Sequence, residues 1–120
     1  MEQPFEVVVE ERRAGDRRVA LVKAAGEVDL TTAGQLAVAI GSDGDGTGGA
    51  TVLDLTGVTF MDSSGLRVLL VASRNLGHGL GVVVADGSAV KRLLDLAEVT
   101  GQIACFATVD SALAGLAGNP

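Results

Sequence analysis

The spacing of the apolar positions changes along the chain. Residues 5–11 and 18–24 read as two strands: valines stand at positions 7, 8 and 9, and Val19-Ala20-Leu21-Val22 is a compact apolar run. Gly15-Asp16 between them predicts a hairpin, and Gly26 is expected to end the second strand. The stretch Glu27-Val28-Asp29-Leu30-Thr31-Thr32 then leads into a helix with Leu36 and Ile40 on its apolar face and Thr31 or Asp29 as its cap. Residues 50–55 are nearly all apolar, the mark of a central strand buried on both faces. From residue 64 to 77 the period becomes helical, and Leu66, Leu69, Leu70, Ser73 and Leu76 should face the sheet. A strand at 80–85, a helix at 88–97, a short edge strand at 103–106 and a last helix at 111–116, capped by Asp110 or Thr108, complete the reading. Strand and helix alternate after the first hairpin, which predicts an α/β fold with a mixed sheet and parallel crossovers.

Residues 41–49 interrupt this pattern with five glycines among Ser42, Asp43, Asp45 and Thr47. A phosphate-binding loop would end in Lys-Ser/Thr and open a helix; this stretch does neither, and its two aspartates would repel phosphate. It also lacks the ligand spacing and terminal Glu of a calcium loop. It is read as a flexible linker.

Composition narrows the function. The 120 residues are 48% hydrophobic and 20% charged, which fits one globular domain spanning 1–120. With no Trp or Tyr and three Phe, the core must be aliphatic. A net charge of −6 argues against a nucleic-acid surface. Arg12, Arg13, Arg17 and Arg18 are scattered around the hairpin turn and read as solvated. No apolar run approaches the ~18 residues of a membrane span, and the first residues have no basic start or apolar segment of a signal peptide. The expected location is therefore the cytoplasm, with no direct membrane insertion. Cys105, the one cysteine, rules out an internal disulfide and a cysteine metal site and is expected to be a buried, inert thiol. His78, the one histidine, lies in a glycine turn. No metal or cofactor is expected.

The candidate chemistry lies at Asp62-Ser63-Ser64-Gly65-Leu66, between the central strand and the following helix. A helix N-terminus presents unpaired backbone N–H groups and the positive end of the helix dipole, so added negative charge is tolerated there. Asp or Ser in such a place also serves simply as an N-cap. Arg67 follows Ser63 by four residues, within reach of a phosphate on that serine along one helix face. Asp62 and Asp29 would repel it.

These residues carry a family resemblance. Gly26-Glu27-Val28-Asp29, Val52-Leu53-Asp54-Leu55, Phe60-Met61-Asp62-Ser63-Ser64-Gly65-Leu66, Ala89-Val90-Lys91-Arg92-Leu93-Leu94, Thr100-Gly101 and Ser111-Ala112-Leu113 occur in the order found in STAS domains, and the chain resembles the small anti-sigma-factor antagonists among them. The resemblance implies a mixed four- to five-stranded sheet with about four helices packed mainly on one side. It implies a partner switch: the unphosphorylated antagonist binds an anti-sigma factor, which is a serine kinase, and frees the sigma factor; phosphorylation ends binding and a serine phosphatase restores it. It places the phosphoacceptor at Ser63, and the partner-binding surface at Asp29, Asp62, Ser64, Gly65, Leu66 and Arg67. Arg67 departs from the small residue that related antagonists often carry there, and the glycine-rich loop is longer than expected.

Two other classes share parts of this pattern. A STAS subunit of a transporter or lipid-trafficking assembly would share the fold, and a neighbouring permease gene would mark it. A receiver domain would use Asp54 at a strand end as phosphoacceptor, but Glu10-Glu11 leads into a hairpin where a receiver has a helix. An enzyme finds no support, because Ser63 has no glycine-flanked elbow and no histidine base.

Overall fold

The computed structural model describes residues 4–41, 50–99 and 101–117. The elements run β1 (Glu6–Ala14), β2 (Arg17–Val28), α1 (Ala33–Gly41), β3 (Ala50–Met61), α2 (Ser63–Leu76), a single 3-10 turn (Gly77–Gly79), β4 (Leu80–Val83), α3 (Ala89–Leu96), β5 (Cys105–Phe106) and α4 (Val109–Ala117). They form one five-stranded sheet in the order β1-β2-β3-β4-β5. The β1–β2 hairpin is antiparallel and every other pair is parallel. Gly15 takes the left-handed conformation in the hairpin turn (φ 64°).

This strand order decides where the helices go. Each crossover from β2 to β5 steps one strand in the same direction, and such connections are right-handed, so α1, α2 and α3 fall on one face. Leu36 and Ile40 of α1, Leu69 of α2 and Val90 and Leu94 of α3 pack there against Val22, Leu53 and Val82. α4 follows the edge strand and folds onto the other face, where Ala112 and Leu116 meet Val19, Leu21 and Val52. The alternation is direct: along β2, residues 19 and 21 point to α4 and residues 22 and 24 to the other three helices. Helices thus lie mainly on one side, with the last as the exception.

Two strands outrun their sequence signal. Gly26 does not end β2, which continues to Val28. It sits at φ 100°, and a Cβ there would lie 2.7 Å from the Pro4 carbonyl oxygen. β3 runs past Leu55 to Met61, and its pairing with β2 slips by one residue between Lys23 and Ala25 and again between Gly26 and Glu27. Such bulges break the apolar alternation that a strand is recognised by. Asp54 therefore lies inside β3, not at its end, and its carboxylate accepts the Thr56 hydroxyl at 2.7 Å and the Thr56 N–H at 3.0 Å. It is a bulge-stabilising group, unlike the strand-end aspartate of a receiver.

Other boundaries move by a few residues. α2 begins at Ser63, β4 ends at Val83, β5 holds only Cys105 and Phe106, and α4 begins at Val109. Thr108 and Ser111 cap α4 reciprocally, each hydroxyl accepting the other's backbone N–H, so Thr108 and not Asp110 is the cap. The fully buried stripe of α2 is Gly65, Leu69 and Ala72, while Leu66, Leu70 and Leu76 are half-buried. Ser73 turns to the loop before β5 and donates to the Gln102 carbonyl at 2.8 Å. Cys105 is half-buried, and burial pushes its thiol pKa up. Residues 42–49 lie outside the described residues.

Candidate functional site at the ends of two parallel strands

Val28 and Met61 are register partners at the ends of β2 and β3. The next backbone group, Asp62 N–H, donates to the Val28 carbonyl at 3.1 Å and extends the ladder by one rung. Asp29 and Asp62, far apart in sequence, thus leave the sheet side by side, each entering the helix that follows its strand.

At the first exit the chain makes a tight hydroxyl-lined turn. Asp29 Oδ1 accepts the Thr31 O–H at 2.7 Å and the Thr31 N–H at 2.9 Å. The Thr32 hydroxyl donates to the Glu27 carbonyl at 2.8 Å and accepts the Asp29 N–H at 3.0 Å. The Thr31 hydroxyl, followed by the backbone N–H groups, holds the Asp29 carboxyl below its ordinary pKa. The Asp29 side chain thus closes the turn ahead of α1, while its backbone carbonyl accepts the Ala33 N–H at 2.8 Å, the first of that helix. Leu30, at the tip of the turn, is 82% exposed.

At the second exit Asp62 is extended (φ −108°, ψ −167°) and is the N-cap of α2: its Oδ1 accepts the Ser64 N–H at 2.8 Å. Neither serine caps the helix. Ser63 is its first residue and is exposed; Ser64 is half-buried. Gly65 is buried because nothing larger fits, since a Cβ would stand 2.5 Å from Met61 Cγ and 2.8 Å from Val28 Cγ1. Leu66 is half-buried against the core, and Arg67 is exposed.

A groove of about 440 Å³ runs from this corner between α1 and α2. Ala33, Ile40 and Ala72 are buried beneath it, and Leu30, Val68 and Val71 line its sides. Among the described residues Arg67 is the one charged residue in its lining.

The structure therefore brings Asp29, Asp62, Ser63, Ser64, Gly65, Leu66 and Arg67 to one corner of the molecule. It adds Leu30 and Val71, which sequence reasoning did not single out. The signal for Leu30 was present, as an apolar residue stranded among Asp29, Thr31 and Thr32. Val71 follows the helical apolar pattern and gave none. Phe60, 46% exposed two residues before Asp62, is a further apolar group at this strand end. Among the described residues no cluster of His, Cys, Asp or Glu could hold a metal ion, and no helix is long and apolar enough to cross a membrane.

The sequence profile of the STAS domain matches residues 12–112. An anti-sigma-F factor antagonist of Mycobacterium tuberculosis, RsfB, is 37% identical over 102 residues, 84% of each chain. The crystal structure of an anti-sigma factor antagonist from Mycobacterium paratuberculosis superposes with a TM-score of 0.83 at 32% identity, covering 97% of this chain and 98% of that one. The fold extends to SpoIIAA. Its unphosphorylated form matches with a TM-score of 0.68 at 19% identity over 95% of this chain and all of that one, 100%. Its phosphorylated form, from Bacillus, gives 0.60 at 17% identity over 88% and 96%. With the profile covering most of its length and the mycobacterial antagonist matching in sequence, this chain belongs to the STAS domain family.

Proposed function

We propose that this protein is an anti-sigma-factor antagonist that works by partner switching, with Ser63 as the modified residue. Unmodified, it binds an anti-sigma factor and frees a sigma factor. The anti-sigma factor, acting as a serine kinase, phosphorylates Ser63 and is released, and a serine phosphatase reverses the step. The observation that carries this reading is the division of labour at the start of α2: Asp62 caps the helix, so Ser63 stands exposed in the first turn with no capping task. The relatives named as anti-sigma factor antagonists support the partner class, and SpoIIAA, a chain of the same fold, has a phosphorylated form, which supports the modification.

The physics of the corner favours a switch over a structural change. A phosphate adds about −1.5 to −2 charges at neutral pH. At the first residue of a helix the dipole partly offsets that charge, so the fold survives it. A partner surface docked there would have to desolvate that charge and place its own acidic groups beside it. The chain acts as a binding module in this scheme and catalyses nothing itself.

The test uses purified anti-sigma-F factor of M. tuberculosis, the class of protein that the 37% identical relative is named for antagonising. Ser63→Ala should keep binding and accept no phosphate from ATP by mass spectrometry, whereas Ser63→Glu should weaken binding by about tenfold or more in calorimetry. Phosphate transfer to Ser63→Ala at the wild-type rate would refute the assignment.

A further inference from the structure

The α1/α2 groove continues the Ser63 corner along α2, and its composition says what fits it. α1 spans Ala33-Gly34-Gln35-Leu36-Ala37-Val38-Ala39-Ile40-Gly41 and carries no charge. Its side of the groove is small and apolar. The α2 side presents Val71, 44% exposed, and Arg67. In a chain with a net charge of −6, Arg67 forms no ion pair among the described residues. Its own helix gives it nothing: residues three and four away are Ser63, Ser64, Leu70 and Val71, and a cation in the first turns of a helix opposes the dipole. Asp62, the carboxylate at the head of the helix, accepts the Ser64 amide on Oδ1 and forms no ion pair with Arg67. The groove is thus an apolar slot with one uncommitted guanidinium on its rim, next to the proposed phosphoacceptor.

We propose that this groove docks an amphipathic segment of the anti-sigma partner, apolar side chains against Val71 and the α1 face and a carboxylate on Arg67, and that phosphate on Ser63 competes with that carboxylate for Arg67. This rests on the partner-switching reading and adds a second element to it. Ser63 and Arg67 are an i, i+4 pair, and side chains so spaced are neighbours on a helix surface. An arginine fork takes a phosphate at least as well as a carboxylate. Modification would then repel the partner and also withdraw the counter-charge that held it.

Two measurements separate the parts. First, phosphoserine is placed at position 63 during translation and the second phosphate ionisation is followed by phosphorus NMR in the full chain. The wild type should titrate about half a unit lower than Arg67→Gln; coincident curves would overturn the competition. Second, binding to the M. tuberculosis anti-sigma-F factor is compared for wild type, Ser63→Glu, Val71→Glu and Arg67→Gln, each checked for folding by circular dichroism. Val71→Glu should weaken binding of the unphosphorylated chain by about tenfold or more, and Arg67→Gln should narrow the gap between the unphosphorylated and phosphorylated forms. If Ser63→Glu loses binding while Val71→Glu binds like wild type, the groove proposal falls and partner switching stands. If the wild type does not bind, both fall. A dimer of the chain alone that Val71→Glu dissolves would assign the groove to a second copy and overturn the proposal.

Discussion

The Asp62 carboxylate accepts the Ser64 backbone N–H at 2.8 Å, and the serine between them is relieved of capping. Replacing Asp62 by Ala should cost about 1 kcal/mol of folding stability, and Asn should recover most of it. Urea denaturation measures both. The same loss in Ser63→Ala would show that the serine shares the cap after all.

Gly65 has no room to grow. Its Cβ would fall 2.5 Å from Met61 Cγ and 2.8 Å from Val28 Cγ1. Met61 has a flexible side chain and yields in part; Val28, fully buried and β-branched, does not. Gly65→Ala should therefore destabilise by about 1–3 kcal/mol through overpacking, read as a lower denaturation midpoint at constant m-value. An unchanged midpoint would mean that the end of β2 is looser than this packing requires.

Asp29 links pH to the shape of the first exit turn. Its carboxyl titrates below the ordinary value of 3.8 because the charged form accepts the Thr31 hydroxyl and N–H. A carboxylate whose folded pKa is depressed adds stability that is fully present above the unfolded value and is lost as pH falls through the folded one. The turn should thus be insensitive to pH near neutrality and loosen only in acid. Thr31→Val should move the Asp29 titration, followed by carboxyl carbon NMR, up toward the ordinary value. No movement would assign the shift to the backbone N–H alone.

Leu94 and Leu96, two residues apart on α3, make an internal control. Leu94 is 0% exposed and Leu96 is 77% exposed. Leu94→Ala should cost about 2–5 kcal/mol and Leu96→Ala no more than about 0.5 kcal/mol, both by denaturant titration. A large loss at Leu96 would point to a contact on the outer face of α3.

The sequence reveals what is periodic and hides what depends on meeting across the fold. The alternation in β2 and the apolar runs of β3 and β4 are legible because a buried position every second residue is the condition for a sheet face. The end of β3 is not, because two bulges put Thr56, Gly57, Thr59 and Phe60 where alternation fails. At the site, the pentapeptide beginning at Asp62 marks a helix start, but which residue caps it turns on one hydrogen bond, and Asp and Ser are equally good caps by type. The groove is invisible in one dimension, since Leu30, Ile40 and Val71 come from different elements and meet only when two crossovers land on the same face.

The rung between Asp62 N–H and the Val28 carbonyl has a kinetic consequence. It makes the corner part of the sheet's hydrogen-bonded ladder and not part of a hanging loop. A partner arriving there has little chain to order, so the entropic toll of docking falls mainly on the partner's side. Encounter should proceed as between rigid bodies, and the Asp62 amide should exchange its hydrogen as slowly as the strands beside it.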